Sequence, residues 1–175
     1  LAELAGRQRS SMLFTAVSPT SGWRLNTLLA TTHIPLSQIP DALTPDLVHH
    51  KLNVLEGFCR RFTTKPHLRI AGLNPHAGEA GQLGHEEAEW LLPLLDQWQK
   101  DHPQVQLDGP VPPDTCWISA ARAWQTQNQP GPDGILALYH DQGLIPVKLL
   151  AFDAAVNTTL ELPFLRTSPD HGTAF

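Results

Sequence analysis

Short apolar runs alternate with longer stretches of mixed polarity along the chain. Runs of strand length occupy residues 11–17, 24–32, 68–73 and 134–139. Each is bounded by polar or turn-forming residues, which predicts buried strands. Two later runs, at residues 144–150 and 155–162, are also β-like, the second with partial alternation of apolar and polar positions. The pattern therefore predicts six strands distributed along the chain.

The clearest helix signal follows Thr44. Thr44 is a good N-cap, Pro45 suits the first turn, and Asp46 is favoured there by the helix dipole. The apolar positions that follow step by four and three residues, which predicts one buried stripe. The stripe consists of Val48, Leu52, Leu55, Cys59 and Phe62.

A second helix is predicted over residues 85–100. Glu86, Glu87 and Glu89 lie in its first turns, where negative charge is stabilised. Pro93 lies inside the segment and predicts a kink or an early break. Between the later strands, residues 121–132 are rich in Gln and Pro and are interpreted as a surface excursion.

Strands that alternate with helices indicate an α/β protein, a layered sheet with flanking helices. The length of 175 residues fits one domain. The first residue is Leu1 rather than Met, and the chain stops at Phe175 without a tail. Residues 1–6 resemble the last turns of a helix with a glycine cap. We therefore expect a piece cut from a longer chain.

Composition and charge narrow the classes of function. The chain is 41% hydrophobic and 17% charged, which is typical of a globular protein. A net charge of −5 argues against a nucleic-acid-binding surface. No apolar run is long enough for a membrane span, and no signal peptide is visible. Cys59 and Cys116 form no CxxC unit, so we expect no disulfide framework and a cytoplasmic location.

Three of the nine histidines follow predicted strands. His33 comes after Ala30-Thr31-Thr32, His76 after Gly72-Leu73-Asn74, and His140 after Leu138-Tyr139. In open α/β sheets, ligands bind beyond the carboxyl ends of the strands. Three imidazoles there would suit Zn²⁺ or a similar divalent ion, with one position open for substrate. Each would equally suit an ordinary loop histidine, and the pattern alone does not decide.

Two further features suggest a binding site near these histidines. Gly78, Gly81 and Gly84 recur every third residue in a loop that precedes a helix N-terminus, a natural anion site. The loop matches neither a Walker loop nor a Rossmann glycine pattern. The alternative interpretation is a plain flexible loop without a binding role. Lys148 and Arg166 would pair with a carboxylate or phosphate, unless they are only solvated charges.

Five runs of sequence together carry a specific resemblance. They are ATTHIPL (30–36), GLNPHAGE (72–79), GPVPPDT (109–115), YHDQG (139–143) and VNTTLELPFLRTSPDHGTA (156–174). In this order, and over nearly the whole chain, they resemble the 4-hydroxythreonine-4-phosphate dehydrogenase family. Residues 1–175 would then be a partial dehydrogenase domain, part of a two-lobed chain with a fold like that of isocitrate and isopropylmalate dehydrogenases.

The resemblance implies roles for individual residues. His33, His76 and His140 match the metal ligands, and Lys148, Asn157 and Arg166 match the substrate-binding residues. Asp114 and Asp141 would orient ligands or relay a proton. The implied cofactors are NAD, or NADP, and a divalent metal, with Zn²⁺ preferred over Mg²⁺ or Co²⁺. The cofactor-binding residues are not identified.

The implied assembly is a homodimer with a shared active site, so one histidine would complete the site of the neighbouring subunit. The implied reaction is the metal-dependent oxidation and decarboxylation of 4-phosphohydroxy-L-threonine in pyridoxal phosphate (vitamin B6) synthesis. Two alternatives remain. A related dehydrogenase would act on phosphorylated sugar acids such as threonate or erythronate phosphate. A catalytically silent fragment would bind at most a metal or a partner chain, because the His-Thr pair of the family would lie upstream of Leu1.

Overall fold

The computed structural model describes residue 6 and residues 9–169. Helices flank a seven-stranded sheet in these residues. The strands are β1 Ser11–Val17, β2 Arg24–Leu29, β3 His67–Ala71, β4 Gln106–Val111, β5 Gly134–Ala137, β6 Val156–Leu160 and β7 Arg166–Pro169. The α-helices are α1 Ile39–Ala42, α2 Pro45–Cys59, α3 Leu92–Asp101, α4 Ile118–Gln125 and α5 His140–Ala151. The helix end predicted over residues 1–6 falls mainly on residues 1–5, outside the described part.

The sheet has the order β4-β3-β5-β2-β1-β6-β7. Strands β4, β3, β5 and β2 are parallel to one another, whereas β1 is antiparallel to β2 and to β6, and β7 is antiparallel to β6. Parallel strands are joined by crossovers that place helices on the sheet faces. The layered α/β architecture predicted from the sequence is therefore confirmed.

Each face of the sheet carries its own hydrophobic core. On one face, side chains such as Leu28 and Ile70 pack with Leu52 of α2 and Trp98 of α3. On the other face, strand side chains including Phe14, Leu25 and Ile135 pack with Trp124 of α4 and Val147 of α5. Successive strand residues point to opposite faces, so a strand covered on both sides is apolar throughout. This explains the continuous apolar runs in β2 and β5.

The helix predicted after Thr44 is confirmed as α2. The Thr44 hydroxyl accepts a hydrogen bond from the Leu47 amide at 3.2 Å, which is the expected N-cap contact. The first four members of the predicted stripe are buried. The fifth prediction is wrong, because Phe62 follows the helix and is 54% exposed. Its ring lies beneath the Arg24 guanidinium, 4.4 Å from the ring centroid.

Pro93 lies where the second predicted helix is irregular, although the chain stays helical through it. A π-helical turn, Glu87–Leu91, leads into α3, and Pro93 occupies the first turn of α3. Proline has no amide hydrogen to donate, and the first turn is the part of a helix that needs none. π-Helical turns frequently occur at functional sites.

Two predictions about the second half of the chain are wrong. The β-like run at residues 144–150 lies inside α5. Its buried side chains, Leu144, Val147 and Ala151, have helical spacing, but exposed apolar residues between them hid that period. The surface excursion at residues 121–132 begins inside α4, where Ala123 and Trp124 are buried.

The sequence pattern also missed β4. This strand contains Gly109 and Pro110, two residues that are uncommon in strands, and it has a register shift against β3. Its residues are only partly buried, so no apolar run marks it.

Both thiols are buried and free of disulfide bonds. Burial raises the pKa of Cys59 and of Cys116 to about 12, which keeps both protonated and unreactive at neutral pH. In the described residues, no helix is long and apolar enough to cross a membrane.

Candidate metal and substrate site

The three predicted metal-binding histidines follow three neighbouring parallel strands. β3, β5 and β2 are adjacent in the sheet, and their carboxyl ends lie at one edge. His76 and His33 are in the loops after β3 and β2, and both are exposed. His140 is the first residue of α5, two residues after the buried Leu138. The topology therefore brings all three to the same edge.

His33 and His140 form a close pair. Their ring centroids are 5.4 Å apart, with the ring planes inclined by 46°. Nitrogen ligands at about 2.0–2.1 Å from one tetrahedral ion place two imidazole centroids roughly 5 Å apart. The His140 Nδ1 contacts the Asp141 carboxylate at 2.7 Å, which leaves Nε2 of His140 for another ligand. A carboxylate behind a histidine is typical of metal sites, so this pair fits a divalent ion.

His76 lies in a neighbouring cavity of about 340 Å³, which Asp114 and Tyr139 also line. The remaining lining residues are Leu73, Pro75 and Pro113. Within residues 9–169, no three His, Cys, Asp or Glu side chains are close enough to hold one ion. The single chain thus brings two of the predicted ligands together and leaves His76 apart.

The loop that carries His76 has an unusual conformation. Residues 76–80 all have positive φ, from 42° to 82°, and form a turn of left-handed hand. Only Gly78 among them is glycine, and each other residue costs roughly 1–2 kcal/mol in this conformation. Such backbone persists only where the surrounding structure enforces it, and it is common at functional sites.

A buried carboxylate supports the start of this loop. Glu87 is 2% exposed, and its Oε1 accepts hydrogen bonds from the Leu73 and Asn74 amides at 2.8 and 2.7 Å. Its Oε2 accepts a third hydrogen bond, from the Asn74 side-chain amide at 2.8 Å. The loop between β3 and the π-helical turn is therefore closed by one side chain.

Two other buried side chains connect the strand ends. The Gln142 side chain accepts a hydrogen bond from the Leu138 amide at 2.7 Å and donates one to the Gly72 carbonyl at 2.8 Å. The Thr31 hydroxyl donates to the Leu138 carbonyl at 2.8 Å. These contacts join the chain segments that lead to His33, His76 and His140.

Gly143 allows α5 to approach the sheet closely. A Cβ atom at this position would lie 2.5 Å from a methyl carbon of Leu29 and 3.0 Å from the Cβ of Ala137. Any larger residue would push the first turn of α5, with His140, away from β2 and β5. The glycine of the YHDQG run therefore has a packing role.

The predicted substrate residues lie on the α5 side of the sheet. Asn157 of β6 is paired with Phe14, which belongs to the core beneath α4 and α5. The Oδ1 atom of Asn157 is buried without a hydrogen-bond partner among the described residues. Arg166 of β7 donates to the Thr159 hydroxyl at 2.7 Å. Lys148 is exposed on α5 itself.

Arg166 and the histidine pair are well separated within one chain. Thr159, the partner of Arg166, lies at the end of β6 that is level with the carboxyl end of β2. Three strand spacings nevertheless separate β2 from β7, which is on the order of 15 Å. A single chain therefore holds Arg166, one of the predicted substrate residues, away from His33 and His140.

Sequence reasoning missed Tyr139, Gln142 and Glu87 at this site. Tyr139 and Gln142 stand within the YHDQG run, but nothing in a sequence separates a cavity-lining residue from a scaffold residue. In the sequence, Glu87 is only one of three negative charges that the helix dipole would stabilise in the first turns of the predicted helix. The signal that marks it, a carboxylate at 2% exposure, exists only in the folded chain.

Comparisons with known proteins agree along the whole chain. The model of a family described as pyridoxal phosphate biosynthetic protein PdxA matches residues 1–175. The chain is 67% identical to a 4-hydroxythreonine-4-phosphate dehydrogenase from Synechococcus sp. (strain RCC307), matching 100% of this chain and 54% of that protein. It is 58% identical to the protein of the same description from Synechocystis, over 100% of this chain and 51% of the relative.

A solved structure has the same architecture. The crystal structure of a 4-hydroxythreonine-4-phosphate dehydrogenase from Klebsiella pneumoniae matches with a TM-score of 0.79 and 37% identity. The match covers 99% of this chain and 48% of the Klebsiella chain. The chain thus spans about half the length of the curated relatives it matches.

Proposed function

Since the chain belongs to the PdxA family of pyridoxal phosphate biosynthetic proteins, we propose that it forms part of a metal-dependent, NAD-linked 4-hydroxythreonine-4-phosphate dehydrogenase. In this proposal, residues 1–175 are a partial dehydrogenase domain that contributes metal and substrate ligands. The observation that carries the proposal is the His33–His140 pair, with Asp141 behind it and the His76 cavity beside it.

His33 and His140 of one chain would hold the ion, Zn²⁺ in preference to Mg²⁺ or Co²⁺, and His76 of a second copy would complete its ligands. A divalent ion in this position supplies Lewis-acid polarisation of the substrate oxygen. Asp141 keeps the proton on Nδ1 of His140, so that Nε2 carries the lone pair that binds. Asp114 is exposed in the His76 cavity, where a carboxylate accepts the proton of a substrate hydroxyl.

The proposed oxidation converts a secondary alcohol into a ketone. Asp114 would accept the hydroxyl proton, and NAD or NADP, when bound, would supply the acceptor for the hydride that leaves the carbon. The resulting β-keto acid would lose its carboxylate as CO₂, and the enolate that this leaves would take up a proton from solvent. Lys148 and Arg166 pair with anionic groups of the substrate, and the free Oδ1 of Asn157 accepts a hydrogen bond from it.

A second copy of this chain is the proposed partner. α5 and the residue that follows it expose an apolar stripe, with Ile145, Leu149 and Phe152 at 60%, 80% and 49% exposure. Phe164 and Leu165, before β7, add 52% and 82% exposed side chains. Exposed apolar residues that are grouped in this way are typical of an interaction surface. The stripe starts one turn after His140 and lies on the face that carries Asn157 and Arg166, so a symmetric contact brings the separated groups together.

Two alternatives remain as outcomes of the test. A related dehydrogenase would use a phosphorylated sugar acid, because part of the substrate pocket of the family lies outside this chain. A silent fragment would bind metal or partner without turnover. We assign the protein to the cytoplasm, which fits the two buried free thiols.

The decisive experiment uses the full-length protein encoded by the complete reading frame. With NAD and Zn²⁺ present, we expect NADH to form from 4-phosphohydroxy-L-threonine and much more slowly from threonate or erythronate phosphate. His76→Ala should abolish metal binding and turnover but preserve the fold, because an exposed loop histidine contributes little packing.

Faster turnover of a sugar-acid phosphate than of 4-phosphohydroxy-L-threonine would favour the alternative, a related dehydrogenase that acts on sugar acids. No metal-dependent NADH formation from any of these substrates would support the silent alternative. Unchanged metal stoichiometry and activity in His76→Ala would refute the assignment of His76.

A further inference from the structure

We propose that Glu87 is a positioning residue, which sets the metal affinity of the site by holding the left-handed turn that carries His76. Glu87 touches neither the cavity nor His76 directly, and its effect passes through the backbone of Leu73 and Asn74. The proposal rests on the proposed function, since it takes His76 to be a metal ligand.

The surroundings of Glu87 are built for a carboxylate. Both oxygens receive hydrogen bonds, two from backbone amides and one from the Asn74 side chain, at 2.7–2.8 Å. The residue is 2% exposed, so water contributes little to its solvation. A buried carboxylate without such donors would be strongly unfavourable. The three donors therefore bind Glu87, and Glu87 in turn fixes their positions.

Those donors stand at the entrance of the turn. Leu73 and Asn74 immediately precede Pro75 and His76, and the Ala77 amide donates to the Asn74 carbonyl at 3.0 Å. If Glu87 no longer held Asn74, that hydrogen bond would lose its fixed acceptor. The left-handed residues prefer the right-handed region intrinsically, so the turn would then sample other conformations.

Gly78 shows that the turn is pressed against Glu87. A Cβ atom at Gly78 would lie 3.0 Å from Oε2 of Glu87 and 2.9 Å from the Gly84 carbonyl oxygen. Gly84 is equally restricted, because a Cβ atom there would lie 2.2 Å from the side-chain nitrogen of Asn74. The two glycines let the chain close around the carboxylate, which explains two of the three regularly spaced glycines in the loop.

The test compares Glu87→Gln with Glu89→Gln in the full-length protein. The first variant keeps the size of the side chain and one oxygen, but it sets an amide group against the Asn74 amide. The second removes the same charge from an exposed position on the same turn. Two quantities are measured: amide hydrogen exchange of the metal-free protein, and the Kd for Co²⁺ from its visible absorption.

We expect Glu87→Gln to raise the exchange rates of residues 73–81 and to weaken Co²⁺ binding, each by at least about tenfold. The rest of the sheet should exchange at the wild-type rate, and Glu89→Gln should match the wild type in both measurements. Gly78→Ala, which presses on Oε2 from the other side, should repeat the effect of Glu87→Gln.

The proposal is overturned if the Kd of Glu87→Gln stays within about twofold of the wild type. It is also overturned if exchange rises throughout the sheet, since that would show a general loss of stability. A wild-type protein that binds no Co²⁺ would instead refute the proposed function. In that case unchanged exchange at residues 73–81 in Glu87→Gln would overturn the positioning role as well.

Discussion

The imidazole rings of His33 and His140 lie with centroids 5.4 Å apart, across the ends of two neighbouring parallel strands. The hydrogen bond from Thr31 to the Leu138 carbonyl joins the two segments just before the histidines. The backbone positions of the two histidines therefore rest on buried structure. His33 and His140 are thus the two predicted metal ligands that a single chain brings together.

Replacing either histidine of this pair should remove a metal ligand. We expect His33→Ala and His140→Ala each to raise the Kd for Zn²⁺ by roughly 100-fold in the full-length protein, because one lost ligand cannot be replaced nearby. Competition with a chromophoric chelator measures the change. His49→Ala is the control, since His49 is exposed on α2. Equal affinities in all three variants would contradict the paired site.

Gln142→Leu should destabilise the fold and loosen the site together. The substitution leaves the Leu138 amide and the Gly72 carbonyl buried without partners, and each such group costs about 1–3 kcal/mol. We expect a loss of about 2–4 kcal/mol in the free energy of unfolding, measured with urea. Gln104→Leu, at an exposed position, should change it by less than about 0.5 kcal/mol. Similar losses in both variants would rule out the bridging role.

Asp108 should make the stability of the fold decrease at acidic pH. Burial alone would raise the pKa of Asp108, but hydrogen bonds from His67 and Arg69 outweigh it and lower the pKa. The folded chain therefore binds this proton less readily than the unfolded chain. The carboxylate stabilises the fold above about pH 4, and the contribution is lost as the pH falls through the lowered pKa.

Asp108→Asn is accordingly expected to lower the free energy of unfolding by about 1 kcal/mol at pH 7 and by less near pH 3. The difference arises because the protonated carboxyl of the wild type resembles the amide of the variant. Urea unfolding at both pH values measures this difference. Asp153→Asn provides an exposed control. A cost that is the same at both pH values would mean that the ion pair with Arg69 does not account for it.

Charge on the outer face of α5 should prevent dimer formation. Leu149 is 80% exposed at the centre of the apolar stripe, and a buried lysine there would lack a partner. We expect Leu149→Lys to sediment as a monomer at concentrations where the wild type forms the proposed dimer. Val17→Lys, at an apolar position 45% exposed on β1, should remain dimeric. A dimer in Leu149→Lys would place the interface elsewhere.

The sequence predicted the elements whose burial follows a simple period. Five of the seven strands, β1, β2, β3, β5 and β6, coincide with predicted apolar runs, whereas β4 and β7 were not predicted as strands. α2 was predictable because its cap and its stripe agree. α5 was not, because Ile145 and Leu149 are apolar on the exposed side and cancel the helical period. A face that is apolar for assembly cannot be distinguished from a core face by sequence alone.

The candidate site was predictable only in part. Strand-end placement suggested the histidines, and the parallel order β3-β5-β2 explains why they share an edge. The pairing of His33 with His140, rather than with His76, depends on the left-handed turn that directs His76 into a cavity. No local propensity predicts that turn, because tertiary contacts of Glu87 and Asn74 hold it.

Gly143 has a consequence for how protein sequences are compared. The YHDQG run joins His140 and Asp141, for which we propose a chemical role, to Gln142 and Gly143, which serve the scaffold. A distant homologue can lose the first two and keep the last two without any change in fold. Such a pseudoenzyme would still score well against the run, so the identities at positions 140 and 141 are the ones that distinguish it from an active relative.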